Sequence, residues 1–527
     1  MQTRARHVEW ISVSNGLRVA GVTALLAFEA AAQATYTLDV TRRCQRIDNF
    51  GASDCWTAQM CGRWPDAKRE RIAEWLFSTD AAADGQPRGI GLSLWRFNVG
   101  AGSAEQGDAS GIKDPSRRTE CFLRADGTYD WERQAGQRWF LQAAKQRGVK
   151  QFLAFCNSAP VHLTDNGLAN NRGRPKDGSY NLKVDRYDAF AGFLAAVLAG
   201  LGQREGLRFS AVSPFNEPEW EWDSTGQEGS PARVSDMARL VRLLDRRLTE
   251  RRLDARILVT ESGKTDYLIS AKAGRPAQSS QIEALFGSAS TNAVAGLPHV
   301  PQVVAGHSYW TTAPNSELLA KRVALRKKLD AFGLGYWQTE VCIMANDKEI
   351  GGGNGKDLGM RTALYVARII HYDLCVAGAS AWHWWLAMTA SDYKDGLIYV
   401  TPQPGQQDGE ISDSKLLWVL GHYSRFIRPG AVRIGVSSPQ ADVNDPEELM
   451  VSAYLHEGGR LVTCVLVNMA ERPQPVRLVV PGLGIQKSGV YLTSDAAGAK
   501  LLPQAGADPL TKYEVPARSV VTWIGRY

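Results

Sequence analysis

From Ile47 to Leu386, short apolar runs alternate with longer stretches whose apolar residues return at helical spacing. The runs predict strands at Asp48–Asp54, Leu92–Val99, Gln151–Cys156, Phe209–Phe215, Arg256–Thr260, Gln302–His307, Gly335–Glu340 and Ser380–Leu386. Between them, Tyr187, Phe190, Leu194, Val197, Leu198 and Leu201 mark the buried stripe of one helix, and Leu319, Val323 and Leu329 that of another. Pro65 with Asp66 reads as a helix start and Gly148 as a stop. Eight strands alternating with helices predict an α/β fold of the (β/α)8 (TIM) barrel type. An open doubly wound sheet would use fewer strands and a Gly-rich phosphate turn, which is not seen here.

After Gly430 the period shortens. Val432–Val436, Leu449–Leu455, Leu461–Asn468, Pro475–Val480, Gly489–Leu492 and Ser519–Ile524 alternate with Gly, Pro and Asp turns, as in an antiparallel β-sandwich. Thr35–Val40 is also strand-like and is expected to join that sandwich. The expected division is residues 1–34 as a signal peptide, 35–46 as the joining strand, 47–428 as the catalytic barrel and 429–527 as the sandwich. The leader reading rests on Arg4, Arg6 and Arg18, an apolar stretch from Val19 to Phe28, and small residues at Ala32-Gln33-Ala34, with cleavage after Ala34. Export to the periplasm or the medium is the expectation. The apolar stretch is too short to span a bilayer, so no stable membrane insertion is expected.

A net charge of +6 over 527 residues, with no basic block, argues against nucleic-acid binding. The eight cysteines lack Cys-x-x-Cys spacing, so no zinc site is expected. Cys55, Cys61 and Cys121 fall in or near candidate loops and could be bridged in an exported protein. Cys156, Cys342 and Cys464 read as buried thiols. Connectivity and oligomeric state are not encoded legibly.

The chemistry is expected where such barrels hold it, at the carboxyl ends of strands. Glu217 follows the fourth apolar run in Ser213-Pro214-Phe215-Asn216-Glu217-Pro218-Glu219, and Glu340 ends the seventh in Gln338-Thr339-Glu340. Each alone reads as a solvated charge or ion-pair partner. Together, at strands that lie across a barrel mouth, they match the paired carboxylates of a retaining glycosidase, about 5 Å apart. Glu219 and Glu221 compete for the acid role; Pro218, which biases Glu217 to an extended backbone, favours Glu217.

Several neighbours complete a sugar site. Asn216 could donate to a sugar hydroxyl or the nucleophile. Arg96, a charge inside an apolar run, needs a partner and could keep Glu340 ionised, although a structural ion pair is an equal reading. His307 and Tyr309 close the sixth strand, and Asn157 and Asp54 end the third and first. Among the strand-end tryptophans, Trp222 and Trp384 are the chosen stacking surfaces for sugar rings, while some of Trp382, Trp384 and Trp385 must be core. The loops Ala101–Tyr129, Cys342–Asp357 and Ala387–Asp413 would wall an extended cleft for an oligo- or polysaccharide. No metal or organic cofactor is required by this chemistry.

With Phe50-Gly51-Ala52-Ser53, Asn216-Glu217-Pro218, Gln338-Thr339-Glu340 and the closing Val515-Pro516-Ala517-Arg518-Ser519-Val520-Val521-Thr522, the chain resembles glycoside hydrolase family 30, retaining clan A enzymes with a barrel and an attached sandwich. The resemblance implies Glu217 as acid/base and Glu340 as nucleophile. Ser213 to Trp222, Gln227-Glu228-Gly229 and Asp392-Tyr393-Lys394-Asp395-Gly396 look most like the endo-β-1,6-galactanase branch; other branches act on xylans, β-1,6-glucans or glucosylceramide. Two other classes stay open: a carbohydrate-binding barrel without catalysis, and a lyase using Lys264 as a Schiff base.

Overall fold

The computed structural model describes residues 33–344 and 347–527. All but two residues of the expected signal peptide lie outside the described residues. Eight parallel strands form the barrel: Asn49–Ser53, Leu94–Asn98, Gln151–Phe155, Ala211–Ser213, the split fifth strand Arg256–Ile257 and Val259–Ser262, Val303–His307, Gly335–Glu340 and Ala379–Thr389. The two pieces of the fifth strand pair with the fourth and the sixth respectively, which closes the ring. The fourth strand is shorter than its apolar run, because the ladder stops at Ser213, before the turn that carries Glu217.

Side chains of a strand alternate between faces, so every second residue enters the lumen. Leu94, Leu153, Ala211, Leu258, Ala305, Trp337 and Ala381 form one closed apolar layer inside the barrel. Two residues further along four of these strands stand Arg96, Ser213, His307 and Thr339, all with 0% exposure. The lumen is thus apolar below and polar above, and the polar layer lies next to the strand ends.

The helix Tyr187–Glu205 buries all six residues of its predicted stripe. The helix Asn315–Phe332 does not follow its predicted stripe: Leu319 and Val323 are exposed, at 37% and 52%, and the inward face is Leu318, Arg322, Leu325 and Leu329. Arg322 can be buried because its Nε donates to Asp373 Oδ1 at 2.9 Å, while Asp373 Oδ2 accepts from Trp382 Nε1 at 3.0 Å. Hydrophobic periodicity reads an arginine as surface and so misplaces the stripe.

Ala387–Asp413 is largely ordered strand rather than loop. The eighth strand runs on to Thr389, and Gly396–Pro402 pairs parallel with it and antiparallel with Gly409–Asp413. All eight cysteines are free, including Cys55, Cys61 and Cys121, which are buried as single thiols in the barrel unit. No helix among the described residues is long and apolar enough to cross a membrane.

Nine strands make the sandwich sheet, and Ala34–Arg46 lies inside it, antiparallel to Val432–Ser437 and parallel to Gln474–Val479. Alternation serves two cores at once. In Leu449–His456, Leu449, Val451, Ala453 and Leu455 face the sandwich interior, while Met450 and Tyr454 join the core of the barrel unit. Asp373→Ala, which leaves Arg322 buried and unpaired, is expected to lower unfolding free energy by about 3–5 kcal/mol. Val323→Ala is expected to change it by less than about 0.5 kcal/mol. Denaturant midpoints measure both, and equal shifts would put Val323 on the buried face.

Candidate active site

Glu217 and Glu340 meet above the polar layer. One carboxylate oxygen of each and a ring nitrogen of His307 lie within 4.8 Å of one another. Both glutamates are nearly covered, at 6% and 3% exposure, so neighbours rather than water decide their charge.

Glu340 is held at both oxygens. Arg96 Nη1 donates to Oε2 at 2.6 Å and the Tyr309 hydroxyl donates to Oε1 at 3.0 Å. Arg96 is itself fully buried, with its guanidinium carbon 3.6 Å from the centre of the Phe155 ring, and its Nη2 donates to Asn216 Oδ1 at 3.3 Å. With that carbonyl oxygen occupied, the Asn216 amide nitrogen is left for other acceptors. Glu217 is raised above the usual carboxylate range: burial is the main cause and the Glu340 charge adds to it, against the hydrogen bond and charge of His307.

The backbone at the acid side is bent. Glu217 has φ +47°, so Pro218 does not hold it extended as its sequence predicts. The turn is fixed from both sides: Glu217 N–H donates to Glu261 O at 2.8 Å, and Trp222 Nε1 donates to Glu217 O at 3.0 Å. Trp222 and Trp310, which line the same cavity as Glu217, also have positive φ, as do Thr260 and Glu261 on the fifth strand.

That cavity has a volume of about 360 Å³ and is lined by Asn216, Glu217, Glu340, Tyr309, Trp222 and Trp385, among others. A larger one, about 450 Å³, shares Trp56 and Arg117 with it but holds neither catalytic candidate. The smaller cavity is the one that holds both catalytic candidates.

One model of known families, "O-Glycosyl hydrolase family 30", matches residues 33–399, and "Glycosyl hydrolase family 30 beta sandwich domain" matches 430–523. The chain belongs to glycoside hydrolase family 30. An endo-β-1,6-galactanase of Hypocrea rufa is 31% identical over 265 residues, covering 47% of this chain and 53% of that protein. The match thus spans about half the length of this curated relative. A conserved exported protein of Bacteroides fragilis has the same architecture, with TM-score 0.86 and 36% identity over 93% of this chain and all of that one. The catalytic domain of a family 30 xylanase C from Talaromyces cellulolyticus shares the fold, with TM-score 0.67 and 21% identity over 94% of this chain and all of that one.

Within this family 30 site, the structure brings together Glu217, Glu340, Asn216, Arg96, His307, Tyr309 and Trp222. Three other candidates lie elsewhere. Asp54 is fully buried, accepts from Asn98 N–H and Gln137 Nε2, and is pushed up to about 7 by burial; it ties the first strand to the second. Asn157 is buried outside the cavity lining, with no side-chain hydrogen-bond partner among the described residues. Trp384 has 0% exposure and donates to Asp395 O at 2.7 Å; the cavity is lined by Trp385, because Ala381, His383 and Trp385 share the inward face. Glu219 accepts from Ser262 Oγ and Lys264 N–H, Glu221 pairs with Arg275, and neither lines the cavity that Glu217 and Glu340 share. Lys264 Nζ lies 3.4 Å from Asp266 and lines no part of the cavity.

Sequence reasoning missed Glu261. It is fully buried and accepts from Ser213 Oγ, Thr339 Oγ1 and His307 Nε2, so it joins four strands beneath the pair. Burial opposes its charge, but the His307 hydrogen bond and the Arg96 charge outweigh it and hold Glu261 down at about 2. The available signal was its place after the fifth apolar run, matching Glu217 and Glu340. His307 is the mirror case. Burial opposes its charge, but Glu340, Glu217 and Glu261 raise it to about 10, so both ring nitrogens carry protons. Its Nδ1 donates to Glu217 Oε1 at 3.0 Å and its Nε2 to Glu261 Oε2 at 3.1 Å.

Glu217, His307 and Glu340 could in shape hold a metal ion. A doubly protonated imidazole has no lone pair to give, and Arg96 already neutralises Glu340, so the donor set does not fit a divalent cation. Glu261→Gln is expected to lower the His307 pKa by at least about one unit, because one of its carboxylate partners loses its charge. NMR titration of the imidazole measures this, and an unchanged value would show that Glu261 does not set the charge of His307.

Proposed function

We propose that the protein is a retaining β-glycosidase acting on β-1,6-galactan-type chains, with Glu340 as nucleophile and Glu217 as acid/base. The observation that carries the mechanism is the inequality of the close pair. Glu340 is clamped by a cation and a phenol, whereas burial favours the protonated form of Glu217. The spacing, within 4.8 Å, agrees with the carboxylates of retaining enzymes, about 5–5.5 Å apart, rather than with the wider pairs of inverting ones, about 6.5–9.5 Å.

In the first step Glu340 forms a bond to the anomeric carbon as the glycosidic C–O bond breaks, and the Glu217 proton passes to the leaving oxygen. In the second, Glu217 takes a proton from water, whose oxygen replaces Glu340 at the same carbon. Two displacements restore the original configuration. Asn216, with its carbonyl turned to Arg96, offers N–H to a sugar hydroxyl. The galactan assignment is supported by the Hypocrea rufa relative and by the sequence from Ser213 to Trp222. Export is supported by the N-terminal pattern of Arg4, Arg6, Arg18 and the apolar stretch after them.

Glu340→Gly is expected to lose at least about 1,000-fold in hydrolysis and to form an α-glycosyl azide from a β-glycoside when azide is added. Glu217→Ala should instead form the β-glycosyl azide. The reversed pairing would exchange the two roles. Activity of the wild type is expected to fall as pH rises through the raised pKa of Glu217, and Glu217→Ala should abolish that limb on substrates with activated leaving groups. On a panel of β-1,6-galactan, glucuronoxylan, β-1,6-glucan and glucosylceramide, the first should be cut fastest. Preference for another member would move the specificity, and turnover of none would leave a binding barrel.

A further inference from the structure

Three buried polar atoms in residues lining the catalytic cavity have no hydrogen-bond partner among the described residues: Nε1 of Trp56, Nε1 of Trp220 and Oδ1 of Asp395. Buried polar atoms in folded proteins are nearly always paired, so such atoms around a cavity mark what its ligand must supply. Two are donors and one is an acceptor, which is the complement of sugar hydroxyls.

A Cβ built on Gly263 would come within 2.7 Å of Glu217 Oε1 and 2.8 Å of Trp220 Nε1, so Trp220 stands beside the proton donor, where the leaving group departs. Asp395 enters the cavity from another strand end. It follows the eighth strand, its carbonyl accepts from Trp384 Nε1, and its charged or polar neighbours are Thr389, Arg117, Cys342 and Tyr399. Trp56 packs edge-on against Trp385 at 5.6 Å, and Trp56 and Arg117 line the same cavity.

Asp395 is also the most firmly placed of the three. It is 5% exposed, and the preceding residue is anchored by Lys394 N–H to Gly353 O at 2.7 Å and Lys394 Nζ to Gly352 O at 2.9 Å. Arg117 forms no ion pair with it. Burial pushes its carboxyl up to about 7 in spite of a hydrogen bond with Thr389 and the charge of Arg117, and its Oδ1 is the carboxyl atom left without a partner among the described residues.

We infer that Asp395 is the specificity-determining residue for the sugar that supplies the anomeric carbon, its Oδ1 pairing with one ring hydroxyl of a hexopyranosyl unit beside Trp56 and Trp385. An epimer that turns this hydroxyl away leaves a buried acceptor unpaired, which discriminates far more strongly than a lost apolar contact. The inference rests on the proposed glycosidase function, and it names a residue which that function alone does not require.

The test is a cycle of protein and substrate changes. Wild type, Asp395→Asn and Asp395→Ala are compared on the best glycan of the panel and on analogues deoxygenated at one position at a time in the sugar at the cleavage point. The expected result is one position whose loss lowers kcat/KM of wild type by about 100-fold or more, but lowers that of Asp395→Ala less than about tenfold. The same losses in both proteins at every position would overturn the inference. Asp395→Asn, nearly isosteric, keeps the cycle readable if the alanine variant folds poorly. Repeating the series as dissociation constants on Glu340→Gln separates recognition from catalysis: an inert wild type would defeat the glycosidase reading, while the binding cycle would still decide the role of Asp395.

Discussion

A guanidinium and a carboxylate with almost no water around them define this site. Arg96 and Glu340 lie 2.6 Å apart at 0% and 4% side-chain exposure, on strands that face each other in the barrel. Taking both charges out of water is costly unless each is fully paired. The barrel supplies Ser53, Asn216 and Tyr309 as further partners, which leaves only Nε of Arg96 without one among the described residues. His307 and Glu261 extend the same alternation of charge, cation beside anion, down to the middle of the lumen. Glu217 is the acid end of this array: burial and the Glu340 charge raise its carboxyl against the hydrogen bond and charge of His307.

Holding such an array takes backbone as well as side chains. Glu217, Trp222, Glu261 and Trp310 adopt left-handed conformations that are unfavourable for residues with a Cβ. Hydrogen bonds from separate segments hold three of them: Glu217 N–H donates to Glu261 O, and Asn171 N–H donates to Trp222 O. Strain of this kind is held by a surrounding structure whose strands are already closed into a ring. The sandwich, which takes up Ala34–Arg46 and shares a core with the barrel helices, adds to that rigidity.

Much of the architecture was legible in the sequence because strand runs and helices differ in period. Arg96, His307 and Tyr309 were legible because a polar residue inside an apolar strand must find a partner. What the sequence concealed was direction and pairing. Arg322 looked like surface and is core, since only the fold brings Asp373 to it. Trp384 and Trp385 are adjacent and equivalent in composition, yet strand parity puts one in the core and the other in the cavity. Asp54 looked like a binding group and instead caps Asn98. Pro218 biased the expectation for Glu217 toward an extended chain, and the tertiary hydrogen bond to Glu261 overrode that local preference.

The central claim is that the close, unequal pair of glutamates works by double displacement. The direct measurement is the configuration of the first product released from a β-linked substrate, followed by proton NMR before mutarotation. The account predicts that the β-anomer appears first and the α-anomer grows in later. An α-anomer formed first would mean a single displacement by water and would contradict it.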